Sequence, residues 1–221
     1  MVTPATTAPV VHRLRVGSTA PGGRLTGALR ELTDAALDDP ATPLILALEV
    51  APRTPARPEG LQAWSRWEKE LIRLERLPVP VITLLEGEVS GAALQLALAG
   101  DLRLATPDTV LAATELSEGY LPGMAIHRLV KLLGLGHARR MVLSGARIGA
   151  AEGARLGLLD AVDTDPAGAA ERLLGAHPRA VARPVWHLAR RLLLESHAQS
   201  TEDALGSVLA AQERALRERE A

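Results

Sequence analysis

Two stretches of the chain hold residue types that could stabilise a negatively charged oxygen and move a proton beside it. Residues 91–93 read Gly-Ala-Ala, where a β-rich run passes into a run of small, helix-forming residues. Small residues let a ligand oxygen approach the backbone closely, and N–H groups at a helix N-terminus favour negative charge. Glu115 lies downstream, ahead of Gly119, and its carboxyl group can take or give a proton. Together they would suit a reaction in which a carbonyl oxygen gains charge while a neighbouring carbon exchanges a proton.

Each of these features also has a plain structural explanation. Gly91 and the alanines after it could simply pack a buried helix against a sheet, and Glu115 could be a surface carboxylate. Glu86 and Glu88, on the turn before the small residues, would add an acid if they faced inward, although such a pair is more often solvated. His127, on a later helix, is more often exposed or packed than catalytic.

The hydrophobic pattern predicts an α/β chain. Apolar runs indicate strands, and stripes at i, i+3 and i+4 indicate amphipathic helices. The predicted strands are residues 10–16, 44–50, 81–85, 102–105 and 159–162. The predicted helices are residues 25–37, 61–77, 92–99, 124–133, 136–143, 150–156, one capped by residues 163–166, 181–194 and 201–219. Trp64 and Trp67 lie on the apolar stripe of the second helix and are expected to pack in the core or at its rim.

Composition and charge argue against several classes of function. A length of 221 residues favours one domain, and 25 basic against 26 acidic side chains give no reason to expect nucleic acid or an anionic membrane as partner. The lack of cysteine excludes disulfides and a cysteine nucleophile. No apolar run reaches the length of a membrane span and no signal pattern precedes the chain, which predicts a cytoplasmic protein. No metal-ligand spacing, phosphate loop or dinucleotide fingerprint is present, so neither a metal nor a separate cofactor is predicted.

The order and spacing of several motifs resemble the enoyl-CoA hydratase/isomerase (crotonase) superfamily. Members usually carry a strand ending in Asn-Gly, an Ala-Leu-Gly-Gly-Gly turn, a helix, a strand that begins with Asp, a Pro-Glu segment and Gly-x-x-Pro-Gly. The corresponding positions here are Glu86-Gly87, residues 89–93, Asp101, Thr114-Glu115 and residues 119–123. Residues 143–154 and 156–162 also resemble the family, so the resemblance covers about residues 77–162.

The resemblance implies a fold and a substrate class. The implied fold is α/β, a crotonase (ClpP-like) spiral of ββα units over residues 1–178. A C-terminal helical oligomerisation region over residues 179–221 would belong to the same structural domain. The implied substrate is an acyl-CoA thioester, with coenzyme A as part of the substrate. Homotrimers or hexamers are the assemblies that the resemblance implies.

The resemblance also implies roles for individual residues. Ala92 matches the middle glycine of the family's turn, so its N–H would be one donor of the oxyanion hole. Glu115 matches the second of the two glutamates that hydratases use. Gly91, Tyr120, Pro122 and Gly123 match positions that would contact the substrate.

Two departures from the family pattern bear on the reaction. The position of the first glutamate is Gln95, whose amide can orient a water or a carbonyl but cannot exchange a proton near neutral pH. A one-base reaction therefore fits better than addition of water by two carboxylates: a double-bond isomerisation, or a proton shuffle that drives loss of water. In the family, the loop that carries the first oxyanion donor usually contains the sequence Ala-Gly-Ala-Asp, and that motif is absent here. Ala56 and Arg57 are the nearest candidates, because Pro58 has no N–H.

Arg57 has a second possible role. Its guanidinium could bind the phosphates of coenzyme A, and the alternative is that this Pro-rich loop is only a rigid surface loop.

A narrower resemblance concerns residues 67–78 and 122–129. They resemble the short crotonase-like accessory enzymes that act beside a type III polyketide synthase in making dihydroxyphenylacetyl-CoA. This implies secondary metabolism and a polyketide synthase as a possible partner. Two readings stay open: an isomerase/dehydratase, or a catalytically weak accessory subunit that stimulates the synthase. A third, an ordinary enoyl-CoA hydratase, is disfavoured by Gln95.

Overall fold

The computed structural model describes residues 10–16, 21–50, 59–176, 185–196 and 199–220, which form a mixed α/β structure. The strands are β1 (Val11–Val16), β2 (Leu44–Val50), β3 (Val81–Leu85), β4 (Glu88–Ser90), β5 (Leu102–Ala105), β6 (Val110–Ala112), β7 (Ile148–Gly149) and β8 (Ala161–Val162). The helices are α1 (Gly23–Asp38), α2 (Leu61–Glu75), α3 (Gly91–Ala99), a 3₁₀ helix (Glu115–Glu118), α4 (Ala125–Ser144), α5 (Ala150–Arg155), α6 (Pro166–Ala176), α7 (Val185–Glu195) and α8 (Thr201–Glu220).

A five-stranded parallel sheet forms the centre, in the order β1-β2-β3-β5-β8. All five residues of β3 are buried, as expected for a central strand covered on both faces. Successive side chains of a strand point to opposite faces, and the core divides accordingly. Leu44 and Leu46 join the large cluster with α1, α2 and α3, whereas Ile45 joins a smaller cluster with Leu174 of α6.

A second sheet leads the chain into the small-residue helix α3, which is followed by β5 of the central sheet. Its three strands are arranged β4-β6-β7, with β4 and β6 parallel and β7 antiparallel to β6. Because β4 ends at Ser90 and α3 begins at Gly91, the second sheet directly sets the direction of the first turn of α3. Helix α3 is buried all round, which explains why its residues are almost all alanine and leucine.

The structure confirms most of the elements predicted from the sequence. The strands at 44–50, 81–85 and 102–105 have the predicted bounds. The predicted break between two helices at Gly134 is a kink, with φ of 74° at that residue. Asp165 caps α6 by accepting the N–H of Gly168 at 3.0 Å, as the pattern of residues 163–166 predicts.

The prediction was incomplete at the second sheet. Strands β4, β6 and β7 were not predicted, because runs of two or three residues are too short to show a period of two. The predicted start of the helix at 181 and the boundary between residues 178 and 179 lie outside the described residues. Of the helices that the structure describes, none combines the length and apolar character needed to cross a membrane.

Candidate active site

The N-terminus of α3 supplies backbone N–H groups at the end of β4. Gly91 has φ of 58°, a left-handed conformation that glycine adopts without strain, and it turns the chain from strand into helix. The first N–H groups of a helix have no acceptor within the helix. Ala92 and Ala93 follow in this first turn, and both are small and fully buried. The turn is therefore suited to bind an oxygen that gains negative charge.

Glu115 is the buried carboxylic acid of this region. It begins the 3₁₀ helix, and its side chain is inaccessible to solvent. Its backbone carbonyl oxygen accepts the N–H of Tyr120 at 3.2 Å, which closes a turn over residues 115–120. The alternative that Glu115 is a surface carboxylate is wrong.

Burial raises the pKa of Glu115 above its ordinary value, because the charged form loses its hydration. Smaller effects from the peptide N–H groups of Glu115 and Thr114 and from the amide of Gln95 lower the pKa, and the nearby charge of Glu118 raises it. The net direction is upward, which makes the charged carboxylate of Glu115 a stronger base than an ordinary glutamate.

Gln95 lies beside Glu115 on α3. Its Nε2 donates to Glu115 Oε1 at 3.2 Å, and its Oε1 accepts the indole N–H of Trp67 at 2.8 Å. All three side chains are fully buried. The structure therefore brings the two predicted catalytic residues together and adds Trp67 of α2 to them.

Two buried oxygens of this region have no hydrogen-bond partner among the described residues. They are Glu115 Oε2 and the hydroxyl oxygen of Thr114, which precedes it in the chain. The peptide N–H groups of Glu115 and Thr114 lower the pKa of the carboxyl group, but neither of them makes a hydrogen bond of good geometry to Oε2. Buried polar atoms are nearly always paired, so unpaired ones mark a place where a ligand can supply the missing partner.

Residues 119–123 form the turn between the 3₁₀ helix and α4. The Tyr120 hydroxyl donates to Glu118 at 2.8 Å, and its ring lies 6.1 Å from that of Trp64. Pro122 is buried, and its carbonyl oxygen accepts the N–H of Ala125 at 3.1 Å. These contacts give the turn a structural role, and substrate contact by Tyr120 and Pro122 stays a prediction.

Gly123 has a left-handed backbone conformation and packs closely against Glu68 of α2. Its φ is 53°, and a Cβ there would lie 2.8 Å from Glu68 Oε1. The same Glu68 oxygen accepts the N–H of Met124 at 2.9 Å, and Arg128 of α4 forms ion pairs with Glu68 and Glu75 of α2. The start of α4 is thus tied to α2, the helix that carries Trp67.

The remaining candidates that the structure describes are exposed side chains. Glu86 and His127 are exposed, and Glu88 is exposed and forms a two-pronged ion pair with Arg147 at 2.9 and 3.0 Å. None of these side chains supplies a second buried carboxylate. Ala56 and Arg57 lie outside the described residues, so the predicted second oxyanion donor stays a prediction.

Sequence reasoning did not anticipate the contact of Trp67 with Gln95. The helical stripe predicted that Trp67 packs in the core, which is confirmed by its full burial. Its polar contact depends on which residue of α3 faces it, 28 positions along the chain. An available signal was that a buried indole N–H usually finds an acceptor and that Gln95 is the lone polar residue of α3.

Comparisons with known proteins agree with this architecture. A sequence model of the enoyl-CoA hydratase/isomerase family matches residues 53–218. A protein of Amycolatopsis orientalis described as an enoyl-CoA hydratase is 38% identical over 195 residues, covering 86% of this chain and 88% of that protein.

Solved structures show the same fold at lower identity. An enoyl-CoA hydrotase/isomerase family protein from Silicibacter pomeroyi aligns with a TM-score of 0.80 at 19% identity, over 96% of this chain and 97% of the other. An enoyl-CoA hydratase from Mycobacterium smegmatis aligns with a TM-score of 0.76 at 19% identity, over 93% and 87%. The predicted crotonase fold is therefore confirmed. The sequence model of the enoyl-CoA hydratase/isomerase family matches most of the chain, and the Amycolatopsis orientalis protein is similar over most of both sequences. The chain therefore belongs to the enoyl-CoA hydratase/isomerase family.

Proposed function

We propose that the protein is an enoyl-thioester isomerase or dehydratase that uses one carboxyl group as acid and base. The observation that carries the proposal is the buried pair of Glu115 and Gln95, in which an amide donates to a single acid 3.2 Å away. An amide does not activate water by taking its proton. The arrangement therefore supports shuttling of one proton more than addition of water between two carboxylates.

The proposed reaction begins with an acyl-CoA whose carbonyl oxygen lies at the N-terminus of α3. Glu115 removes a proton from the α carbon, and the electron pair moves onto the thioester oxygen as an enolate. The N–H of Ala92 stabilises that oxygen, since such a donor acts most strongly where charge develops. With a 3-enoyl thioester, Glu115 then returns the same proton to the γ carbon as the enolate collapses, and the double bond moves from Cβ–Cγ to Cα–Cβ. With a 3-hydroxyacyl thioester, Glu115 returns the proton to the β-hydroxyl oxygen, the Cβ–O bond breaks as the enolate collapses, and water leaves.

The test compares isomerisation of a 3-enoyl-CoA with hydration of crotonyl-CoA, followed by absorbance of the conjugated thioester. We expect the wild-type protein to isomerise and to hydrate little. Glu115→Gln should lower turnover by about 10²–10⁴-fold, the range of general acid–base catalysis, without lowering the melting temperature. Gln95→Glu should raise hydration relative to isomerisation, because it restores two carboxyl groups. Wild-type turnover in Glu115→Gln would contradict the proposal. Hydration of crotonyl-CoA by the wild type as fast as isomerisation would rule out the isomerase and leave the dehydratase, because a dehydratase also catalyses the reverse reaction.

A second candidate is a catalytically weak accessory subunit that stimulates a type III polyketide synthase. The observation that favours it is Gln95, whose amide is hydrogen-bonded to both Trp67 and Glu115 and stands where the family's hydratases carry a second carboxyl group. This candidate predicts co-purification with a synthase and equal stimulation by the wild type and by Glu115→Gln. Light scattering of the purified protein would test the homotrimer or hexamer that we propose for either role.

A further inference from the structure

Three fully buried side chains from different elements form a continuous hydrogen-bonded chain at the site. Trp67 of α2 donates to Gln95 of α3 at 2.8 Å, and Gln95 donates to Glu115 of the 3₁₀ helix at 3.2 Å. Both hydrogen bonds are buried, where electrostatic interactions are stronger than in water. The state of one member therefore affects the others.

The direction of this chain is determined by Trp67. An indole N–H can only donate, so the group of Gln95 that faces it must be the carbonyl oxygen. The NH₂ group of Gln95 then faces Glu115, and the amide cannot be turned over without losing both hydrogen bonds. If it were turned over, its carbonyl oxygen would face Glu115 Oε1 and disfavour the charged carboxylate.

A fixed donor at Oε1 also distinguishes the two oxygens of Glu115. Oε1 accepts a hydrogen bond from Gln95 Nε2, so Oε1 cannot also donate a proton toward that group. Oε2 is buried and has no hydrogen-bond partner among the described residues. The proton that Glu115 takes and returns would therefore reside on Oε2.

We propose that Trp67 is a positioning residue, which acts through Gln95 to hold Glu115 Oε1 and leave Oε2 as the atom that transfers the proton. This inference rests on the proposed function for its meaning in catalysis, but its geometry can be tested without any substrate. Trp67 would not touch the reacting atoms.

The direction of the expected pH effect follows from the groups that face Glu115. Among the described residues these are Gln95 of α3, which donates to the carboxylate, and Glu118 of the same 3₁₀ helix, whose charge opposes ionisation. The Gln95 hydrogen bond lowers the pKa of Glu115, so its loss should raise that pKa further. The variant needs a higher pH to hold the base in its charged form.

The main experiment is an NMR titration of the Glu115 side-chain carboxyl carbon in the wild type, in Trp67→Phe and in Leu74→Val. Glu115→Gln assigns the signal. Leu74 is fully buried two turns along the same helix, so its truncation controls for a small cavity in α2. We expect the titration midpoint to move to higher pH in Trp67→Phe and to stay at the wild-type position in Leu74→Val.

Enzyme kinetics provide the second readout. With a 3-enoyl-CoA as substrate, the acidic limb of kcat/KM should move in the same direction in Trp67→Phe. At pH values below that limb, kcat/KM of Trp67→Phe should be about tenfold lower than that of the wild type, as expected for loss of the charge-assisted hydrogen bond from Gln95 to Glu115. If the wild type turns over no thioester, the proposed function fails while the carboxyl titration still decides the role of Trp67.

A measurement on the unmodified protein covers the case in which Trp67→Phe does not fold. The chain has three tryptophans, so the indole N–H signals are readily resolved and assigned. The Trp67 indole and Gln95 amide signals should titrate together with the Glu115 carboxyl in the wild type and lose that titration in Glu115→Gln. An unchanged Glu115 midpoint in Trp67→Phe, or a Trp67 indole that does not follow Glu115, would overturn the inference.

Discussion

At the scale of single residues, Gln95 determines how the buried acid ionises. Two carboxyl groups 3.2 Å apart would repel each other when charged, and their titrations would be coupled. An amide at the same distance donates a hydrogen bond instead. Glu115 therefore titrates as one group, with a pKa raised mainly by its burial. This makes its contribution to stability predictable in sign.

The first prediction concerns the stability of Glu115→Gln as a function of pH. The pKa of Glu115 is higher in the folded than in the unfolded protein, so the folded state holds the proton more tightly. Its stabilising contribution is complete below the unfolded pKa and is lost as pH rises through the folded pKa. Glutamine has no such loss. Glu115→Gln should therefore gain in melting temperature relative to wild type as pH rises, by about 2–4 °C for each kcal/mol relieved.

The control for this prediction is Glu86→Gln, which removes an exposed carboxyl group from the turn before β4. Calorimetry of the three proteins from pH 4 to pH 8 gives the comparison. We expect no such rise for Glu86→Gln. A difference between Glu115→Gln and wild type that is independent of pH would show that Glu115 is not strained by burial in the folded state.

The sequence allowed prediction of the acid and its amide neighbour but not of the residue that orients them. Glu115 and Gln95 follow from motif order along about forty residues, which preserves their relative position in the fold. The contact with Trp67 depends on how α2 rotates against α3, and helix rotation is set by packing across the whole core rather than by a local motif.

At the scale of elements, α2 connects the parts of the site. It contacts α3 through Trp67 and the start of α4 through Glu68. It also contacts α1, where Arg30 donates to the buried carboxylate of Glu70 at 2.7 and 2.9 Å. A displacement of α2 would therefore move the Gln95 amide and the turn after Glu115 together.

The second prediction tests the contact between α2 and the turn before α4. Gly123→Ala would place a Cβ 2.8 Å from Glu68 Oε1 and 3.3 Å from the Trp64 ring. The Glu68 side chain would have to leave the N–H of Met124, and overpacking of this kind costs about 1–3 kcal/mol. Urea unfolding should show that loss, and the isomerase activity that we propose should fall with it if the site depends on α2.

Gly145→Ala separates this contact from the cost of the backbone conformation. Gly145 has φ of 65° at the end of α4, and a Cβ there would meet nothing within 4 Å. Its replacement should cost about 1–2 kcal/mol through the left-handed backbone conformation alone. Equal losses for both variants would mean that the Glu68 contact contributes nothing.

Long elements were predictable from the sequence, and very short ones were not. Helix α2 and strand β2 display a full stripe or a continuous apolar run, which determines their type and approximate ends. Strand β4 has three residues and follows a turn rich in acid, so its pairing with β6 is set by tertiary contact. Pairing of that kind leaves no local pattern to detect.

At the scale of the whole molecule, a buried ion pair between Arg190 and Asp101 attaches helix α7 to the central sheet. Arg190 binds both carboxylate oxygens of Asp101, which precedes β5, and donates to the carbonyl oxygen of Leu77 at 2.6 Å. Asp101 also accepts the N–H of Val81 at 2.8 Å and the indole N–H of Trp186 at 3.2 Å. The same aspartate thus holds β3 and α7 together.

The third prediction is that Arg190→Met releases α7 from the sheet. Removing one partner of a buried pair leaves the other charge without compensation and costs about 3–5 kcal/mol. Asp101 is 15% exposed, and among the described residues it keeps two neutral donors after the change, so most of that cost is expected. Urea unfolding measures the total loss. Hydrogen exchange should show reduced protection of residues 185–195 and unchanged protection of β2.

Arg191→Met is the matched control on the same helix. Its side chain is 47% exposed and pairs with Glu195 at 3.9 Å, a surface contact that is worth at most about 1 kcal/mol. Adding Asp101→Asn to Arg190→Met should recover part of the loss, because the uncompensated charge is then absent. If Arg190→Met and Arg191→Met were equally mild, α7 would be held by its apolar contacts and the ion pair would only orient it.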